Sequence, residues 1–361
     1  MKTRLLGKTP TELGEIARSC SLPSFTGKQL SEWIYKKGAT SFSQMTNISK
    51  KGREALEEIS EVGRVAPLTV QKSKDGTKKY LFPVNCTHLG GLDRVESVGE
   101  DTLEKSSIEA VMIPEEDRRT LCVSSQAGCK MNCAFCMTGR QGFHGNLSSA
   151  DIINQFLSVA EAPDLTNAVF MGMGEPLDNC ENVFRALEVL TSPWGFAWSP
   201  KRITVSTIGV IPRLKEFLDS SHCHLAVSLH NPFPEERGEL MPVQKAYPIE
   251  DVVSLIKQYD FTGQRRVSFE YTMFAGVNDT PRHARALAEL LHPLECRVNL
   301  IRFHSIPDFP YRTSTEQVMQ RFQTHLLSRG ITTTIRASRG EDIYAACGLL
   351  AGKNNKDNPR Q

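Results

Sequence analysis

The spacing of apolar positions changes twice along this chain. Up to about residue 65 they recur at three- and four-residue intervals. This predicts helices over Thr11–Ser19 behind a Thr cap, over Gly27–Lys37 with Leu30, Trp33 and Ile34 on one face, and over Lys50–Ile59. Residues 66–121 alternate instead. Thr69–Gln71, Lys79–Phe82 and Ile108–Ile113 read as strands, and Asp75-Gly76 is a hairpin turn signal. The polar, glycine-bearing stretch Gly90–Lys105 reads as an exposed loop. Beyond residue 121, short apolar runs (Leu121–Ser125, Ala168–Met171, Ile203–Ser206, Leu225–Leu229, Val267–Tyr271, Val298–Phe303, Thr333–Ile335) alternate with amphipathic stretches such as Ser149–Ala160, Glu181–Leu190 and Glu316–Arg329. Such a rhythm means a parallel sheet wrapped by helices.

Six β/α units suit a partial (β/α)6 TIM-like barrel better than a closed eight-stranded one. The expected order is an N-terminal helical domain (1–65), a β-rich extension (66–115), the core barrel (116–352) and a flexible polar tail (353–361). Chemistry in such barrels sits at the C-terminal ends of the strands. The loops after Ser125, Met171, Ser206, Leu229 and Phe303 are therefore the places to look.

Composition narrows the class. Of 361 residues, 40% are hydrophobic and 23% charged, which allows a packed core and excludes global disorder. The net charge of +2 neither demands nor excludes a nucleic-acid partner, so local patches decide. Lys28, Lys36, Lys37, Lys50, Lys51 and Arg53 make the N-terminal part basic, either as a solvated face or as a phosphate-contacting module. No run of about 18 apolar residues spans a membrane, and Met1–Gly7 has no apolar signal core. The expected location is the cytoplasm, where clustered Cys means metal or redox chemistry rather than disulfides.

Three of the ten cysteines are clustered. Cys129, Cys133 and Cys136 lie in Gln126-Ala-Gly-Cys-Lys-Met-Asn-Cys-Ala-Phe-Cys-Met-Thr-Gly139, just after the first barrel strand. Three thiolates in so short a loop can wrap one corner of a [4Fe–4S] cluster and leave the fourth iron open for another ligand. A structural zinc site is the competing reading, but zinc prefers four closed ligands. Cys20, Cys86, Cys180, Cys223 and Cys296 have no spacing partner and read as structural or incidental.

The Cys spacing, with aromatic Phe135 before the last Cys, resembles the radical S-adenosylmethionine (SAM) superfamily. Thr120–Gln126, Met171-Gly-Met-Gly-Glu-Pro176, Ser228-Leu-His230 and Ala345-Ala-Cys-Gly348 resemble, collinearly from about Lys28 to Gly352, its RlmN/Cfr family of RNA adenine methyltransferases. The resemblance implies a [4Fe–4S] cluster held by Cys129, Cys133 and Cys136, with SAM on the open iron. It implies SAM contacts from Gly174, Glu175, Ser206, Ser228, Leu229, His230 and His304, the last at a position where the family often has Asn. It further implies that Cys347 carries a methyl group received from one SAM. A radical from a second SAM activates that methyl for addition to adenine. Cys122 then takes the ring proton and closes a transient disulfide with Cys347, and Glu109 matches the family's proton acceptor.

The implied substrates are 23S rRNA at the peptidyl transferase centre and tRNA at the adenosine 3′ of the anticodon. An external electron donor such as flavodoxin is also implied, as is a monomeric chain. Pro176 after the Gly-Met-Gly-Glu run favours methylation of carbon 2, whereas Val205–Gly209, Glu235–Arg237 and Leu240–Pro242 look closer to the carbon 8 enzymes of the family. A reading from a different class is a non-catalytic Fe–S RNA-binding protein, which would need neither Cys122 nor Cys347. The basic pair Lys201-Arg202 is consistent with RNA phosphates.

Overall fold

The computed structural model describes residues 2–84, 107–263 and 265–350. The expected loop Gly90–Lys105, the tail 353–361 and Cys86 lie outside the described residues.

Ten strands of the described residues form one sheet, in the order β14-β13-β12-β11-β10-β9-β6-β5-β4-β3. They are β3 (Thr69–Lys72), β4 (Lys78–Pro83), β5 (Ser107–Pro114), β6 (Arg119–Cys122), β9 (Asn167–Phe170), β10 (Ile203–Thr207), β11 (His224–Ser228), β12 (Val267–Met273), β13 (Arg297–Arg302) and β14 (Thr332–Ile335). From β6 through β9 to β14 every pairing is parallel, and each crossover carries helix. These are the six predicted β/α units, with a seventh strand after the last helix. The helices Ser149–Leu157, Cys180–Thr191, Ile211–Ser220, Ile249–Ile256, Pro281–Leu291 and Glu316–Ser328 cover the outer face. Ser148 caps the first of them in a capping box with Asp151, and Thr315 caps the last.

The predicted hairpin is present, β3 to β4 antiparallel with its turn over residues 73–77. It does not stand apart from the barrel. β4 pairs β5 and β5 pairs β6, so the antiparallel strands continue the barrel sheet at its first edge. Alternation along each strand finds that a face is buried, but not which sheet the strand joins.

The N-terminal segment is helical over Pro10–Ser19, Thr26–Ser31 and Lys50–Ile59, with a π turn at Glu32–Lys36 and two short strands, β1 (Thr3–Arg4) and β2 (Ser60–Glu61), paired in parallel. The first cap is Thr9, boxed with Glu12, two residues earlier than the pattern suggested because Pro10 can occupy the first helical turn. The segment is docked on the barrel. Arg4 pairs with Asp151, Tyr35 packs on Trp194 at 5.8 Å between ring centres, and Arg64 donates to the Gly38 and Leu157 carbonyls.

Candidate functional site

The cluster loop is anchored before its first cysteine. Gln126–Gly128 (β7) pairs antiparallel with Phe143–Asn146 (β8), and the Cys129 amide donates to Gly142 at 2.9 Å. Gln126 is the hub. Its amide nitrogen donates to Asn146 and Asp178 at 2.8 and 2.7 Å, and its oxygen accepts the Glu175 amide at 2.9 Å. This joins the thiol loop to the Gly-Glu loop after β9. Gly174 has φ of +95°, and a Cβ there would come within 2.4 Å of the Gln126 side chain. The glycines of this loop therefore serve its contact with the cluster strand as well as room for a ligand.

Cys129, Cys133 and Cys136 line one wall of a cavity of about 520 Å³, which Gly174, Glu175, Ser206, Ser228, His230 and His304 also line. Burial pushes the Cys129 thiol up to about 12, and burial with the neighbouring Cys136 and Cys129 thiols pushes Cys133 well above its usual range. Thiols this crowded and desolvated hold their protons until a cation takes them as thiolates. Among the described residues no three His, Cys, Asp or Glu side chains converge on one point as a single ion requires. A cuboidal cluster instead meets each thiolate at a different iron, so the donor set fits it.

Around the cavity, Glu175 is buried. Its two oxygens accept the Leu177 and Ile208 amides at 3.0 and 2.9 Å, and burial lifts its carboxyl to about 7 against those bonds and that of Thr207. An ammonium group at this wall would restore its charge. His230 is buried, and burial followed by Arg237 drives its ring down to about 3, so it is neutral. Its Nδ1 accepts the Thr272 amide at 2.9 Å, which leaves Nε2 as the protonated nitrogen, and its ring meets Phe135 edge-on at 4.9 Å. Leu229 is fully buried and not among the lining residues. Its backbone is spent on Glu270 and on Arg237. His304 lines the cavity with Nδ1 3.2 Å from Glu341.

Two of the remaining thiols, Cys347 and Cys122, lie near this site. Cys347 lies on the loop after β14 and lines the cavity, accessible to solvent yet ringed by protein, and that partial dehydration raises its thiol. Cys122 ends β6 behind the cavity wall, buried. Burial, then the charge of neighbouring Cys347, pushes it up to about 12, while Arg336 opposes the rise at both sulfurs. Glu109 lies on β5 with its carboxylate 3.0 Å from the buried ammonium of Lys79. The register places Val111 opposite Cys122, so Glu109 and Cys122 face the same side of the sheet.

Sequence reasoning missed several residues. Arg237 is fully buried and donates to the carbonyls of Ile208, Ser228 and Leu229, which locks the ends of β10 and β11 to one another. Glu270 lines the cavity with Oε1 bonded to Ser268 and Asn299. Arg336 lines the cavity and acts on both Cys122 and Cys347, and Lys79 pairs with Glu109. None has a spacing signature, because most of the partners come from other elements of the fold.

A β/α barrel whose first strand leads into a three-thiol loop, opening on a cavity walled by strand ends, defines a radical SAM enzyme. Comparison with known proteins agrees. The Radical SAM superfamily profile matches residues 123–288, and the profile of the ribosomal RNA large subunit methyltransferase N-terminal domain matches residues 3–62. A probable dual-specificity RNA methyltransferase RlmN of Porphyromonas gingivalis is 56% identical over 97% of this chain and 94% of its own length. Its counterpart in Parabacteroides distasonis is 54% identical over 98% of each. The crystal structure of a radical SAM methyltransferase from Sphaerobacter thermophilus superposes with a TM-score of 0.86 at 35% identity, over 96% of this chain and 99% of that one. The chain belongs to the RlmN family of radical SAM methyltransferases.

Proposed function

We propose that this enzyme methylates carbon 2 of adenosine in 23S rRNA, at the peptidyl transferase centre, and in tRNA, at the adenosine 3′ of the anticodon. The observation that supports this reading above others is the placing of two further thiols at the cluster loop, Cys347 lining the cavity with Cys129, Cys133 and Cys136, and Cys122 ending the strand that leads into the loop. A binding module has no use for two thiols there.

Cys129, Cys133 and Cys136 would hold the [4Fe–4S] cluster, and Gly174, Glu175, Ser206, Ser228, His230 and His304 would position SAM, with Glu175 facing its ammonium; Leu229, buried away from the cavity, supports this wall from behind. When bound, cluster and SAM supply the methyl group and the 5′-deoxyadenosyl radical. Cys347 serves as methyl carrier, its accessible sulfur lying in the cavity. Cys122 accepts the proton from carbon 2 and then attacks the Cys347 sulfur. The bond from that sulfur to the methylene breaks with its electron pair on carbon, the proton passes to that carbon to complete the methyl group, the disulfide forms, and the one surplus electron of the radical adduct would return to the oxidised cluster. Arg336 favours the Cys122 thiolate for this step and the Cys347 thiolate for the earlier capture of the methyl group. Glu109, held by Lys79, is the further proton acceptor. The cluster draws its electron from an external donor such as flavodoxin, and the chain works as a cytoplasmic monomer. Mass spectrometry of RNA from a knockout and a complemented strain tests the assignment. The complemented strain is expected to regain 2-methyladenosine in both RNAs. Regain of 8-methyladenosine alone would move the enzyme to the carbon 8 branch.

RNA would reach the cavity at the C-terminal ends of the strands, where Arg302 and Arg336 line it. Lys201, Arg202 and Arg266 line it at the opposite end, just before β10 and β12, and in the N-terminal helices Lys37 is paired with Glu32 and Lys50 lies 4.0 Å from Glu54. Because the N-terminal segment is docked on the barrel, charge reversal tests it more cleanly than deletion. Lys201→Glu with Arg202→Glu is expected to leave the salt slope unchanged if RNA docks at the C-terminal end of the barrel alone, and to weaken RNA binding and lower the slope by about two if RNA also wraps the N-terminal end. Lys28→Glu with Lys51→Glu is expected to do the same if the helices also grip phosphates. An unchanged slope in the second variant makes those lysines a solvated face.

A further inference from the structure

Cys347 sits in a long loop that leaves β14 at Ile335 and contains one short helical turn, Glu341–Ile343. Nothing in the barrel rhythm explains how such a loop keeps one sulfur in place. The hydrogen bonds do. Asp342 accepts from the Ser73 hydroxyl and, at 3.2 Å, from the Lys74 amide, both on the turn between β3 and β4. In the reverse direction the Gly340 amide donates to Asp75 of that turn at 3.0 Å. The fit is close. Gly340 has φ of +62°, and a Cβ there would come within 2.9 Å of Thr77 and 2.8 Å of Ala345. The turn is itself rigid: Asp75 also accepts the Thr77 amide at 2.9 Å, and the Ser73 amide donates to the Thr77 carbonyl at 2.8 Å. Burial pushes the Asp75 carboxyl up, but the amides of Gly340 and Thr77 outweigh it and hold it at about 2, so it is an ionised acceptor at neutral pH.

The far end of the loop is held by the cluster segment. The Met137 amide donates to Gly348 at 2.9 Å and the Thr138 hydroxyl donates to Leu350 at 3.1 Å. Cys347 therefore hangs between two anchors, one beside the cluster and one on the antiparallel extension. The same hairpin reaches the chemistry a second time, since Lys79 at the start of β4 grips Glu109.

We propose that the Ser73–Thr77 turn is a positioning clamp for the Cys347 loop, with Asp342 and Asp75 as its positioning residues. This rests on the reading of Cys347 as methyl carrier. A sulfur that must first receive a methyl group and later meet Cys122 needs its loop held at both ends, because a displacement of about 1 Å costs such a step on the order of a hundredfold. The hairpin added to the barrel edge supplies the anchor that the barrel lacks.

The test uses full-length enzyme reconstituted with iron and sulfide under anaerobic conditions, as wild type, Asp342→Ala, Asp75→Ala and Asp342→Asn. Iron content, methyl on the Cys347 peptide by mass spectrometry, and 5′-deoxyadenosine formed per methylated adenosine are measured. Asp342→Ala and Asp75→Ala are expected to keep their iron, to methylate Cys347 about tenfold more slowly, and to form more 5′-deoxyadenosine per product than wild type. Asp342→Asn retains one acceptor oxygen for Ser73 and is expected to recover part of the rate. Because Asp342 is exposed, this variant also serves if the alanine variants fold poorly. A purely structural role would lower all activities together and leave the ratio unmoved, which overturns the proposal. So would wild-type rate and ratio in the variants. A wild-type enzyme with no methyl on Cys347 would instead overturn the carrier reading itself, an outcome the peptide mass separates from failure of the clamp.

Discussion

Replacing Cys129, Cys133 or Cys136 by alanine, one at a time, is expected to strip the iron from anaerobically purified enzyme and to abolish methyl transfer. Each thiol lines the same cavity, and Cys129 and Cys133 are desolvated, crowded sulfurs of the kind that a cationic iron stabilises as thiolate. With two of three ligands left, the cluster has two open irons and is lost to solvent rather than held. The wild type should bind roughly four iron per chain with broad visible absorption, and each variant close to none. The loss should be local. The loop is pinned at its base by β7 and β8 and by Gln126, none of which uses a cysteine side chain, so secondary structure should be retained. Iron analysis alongside circular dichroism checks both points. Stoichiometric zinc without iron after anaerobic reconstitution would contradict the radical SAM assignment of the loop.

The two thiols outside the loop should fail in different ways. Cys347→Ala has no sulfur to carry a methyl group, so it should neither methylate RNA nor become linked to it. Cys122→Ala should still load Cys347 and form the carbon–carbon bond to adenine. Without the thiolate that takes the ring proton and then attacks the Cys347 sulfur, it stops there, with at most one adenine joined per enzyme. A denaturing gel should therefore show a protein–RNA adduct for Cys122→Ala and none for Cys347→Ala. The structure makes the difference a sharp one. Of the two, Cys347 lines the cavity, whereas Cys122 is buried and does not. Equal adduct in both variants, or full turnover by either, would show the roles to be misassigned. Swapped behaviour would exchange them.

Much of this site was legible before folding. Thiol spacing in a single loop is a local property, so Cys129, Cys133 and Cys136 announce a cluster without any tertiary information. The β/α rhythm is likewise local, since period-two and period-3.6 patterns record which face of each element is buried. Six of the seven parallel strands stand within about two residues of where those patterns placed them, while the first runs over Arg119–Cys122 instead of Leu121–Ser125. The strand-end residues Glu175, Ser206, Ser228 and His230 follow from that rhythm and from the family resemblance. The pairing of Cys122 with Cys347 was legible only through the resemblance, because no spacing rule connects residues on strands at opposite ends of the barrel sequence.

What only the tertiary structure decided has one physical cause: it depends on contacts between elements far apart in the chain. Arg237 looks like one more charged helix residue until its guanidinium is seen holding the carbonyls of Ile208, Ser228 and Leu229 in a dry interior, where unpaired carbonyls would be costly. Leu229 looks like a pocket residue by its place in a motif, yet strand alternation turns its side chain into the core. Lys79 reads as a surface strand cation, but register sets it against Glu109 inside the sheet. Asp75-Gly76 announced a turn by its residue types, and that much was local chemistry. That the turn reaches across to Gly340 and Asp342 and holds the Cys347 loop was decided by the way β4, β5 and β6 join into one sheet, an arrangement that alternation along each strand leaves open.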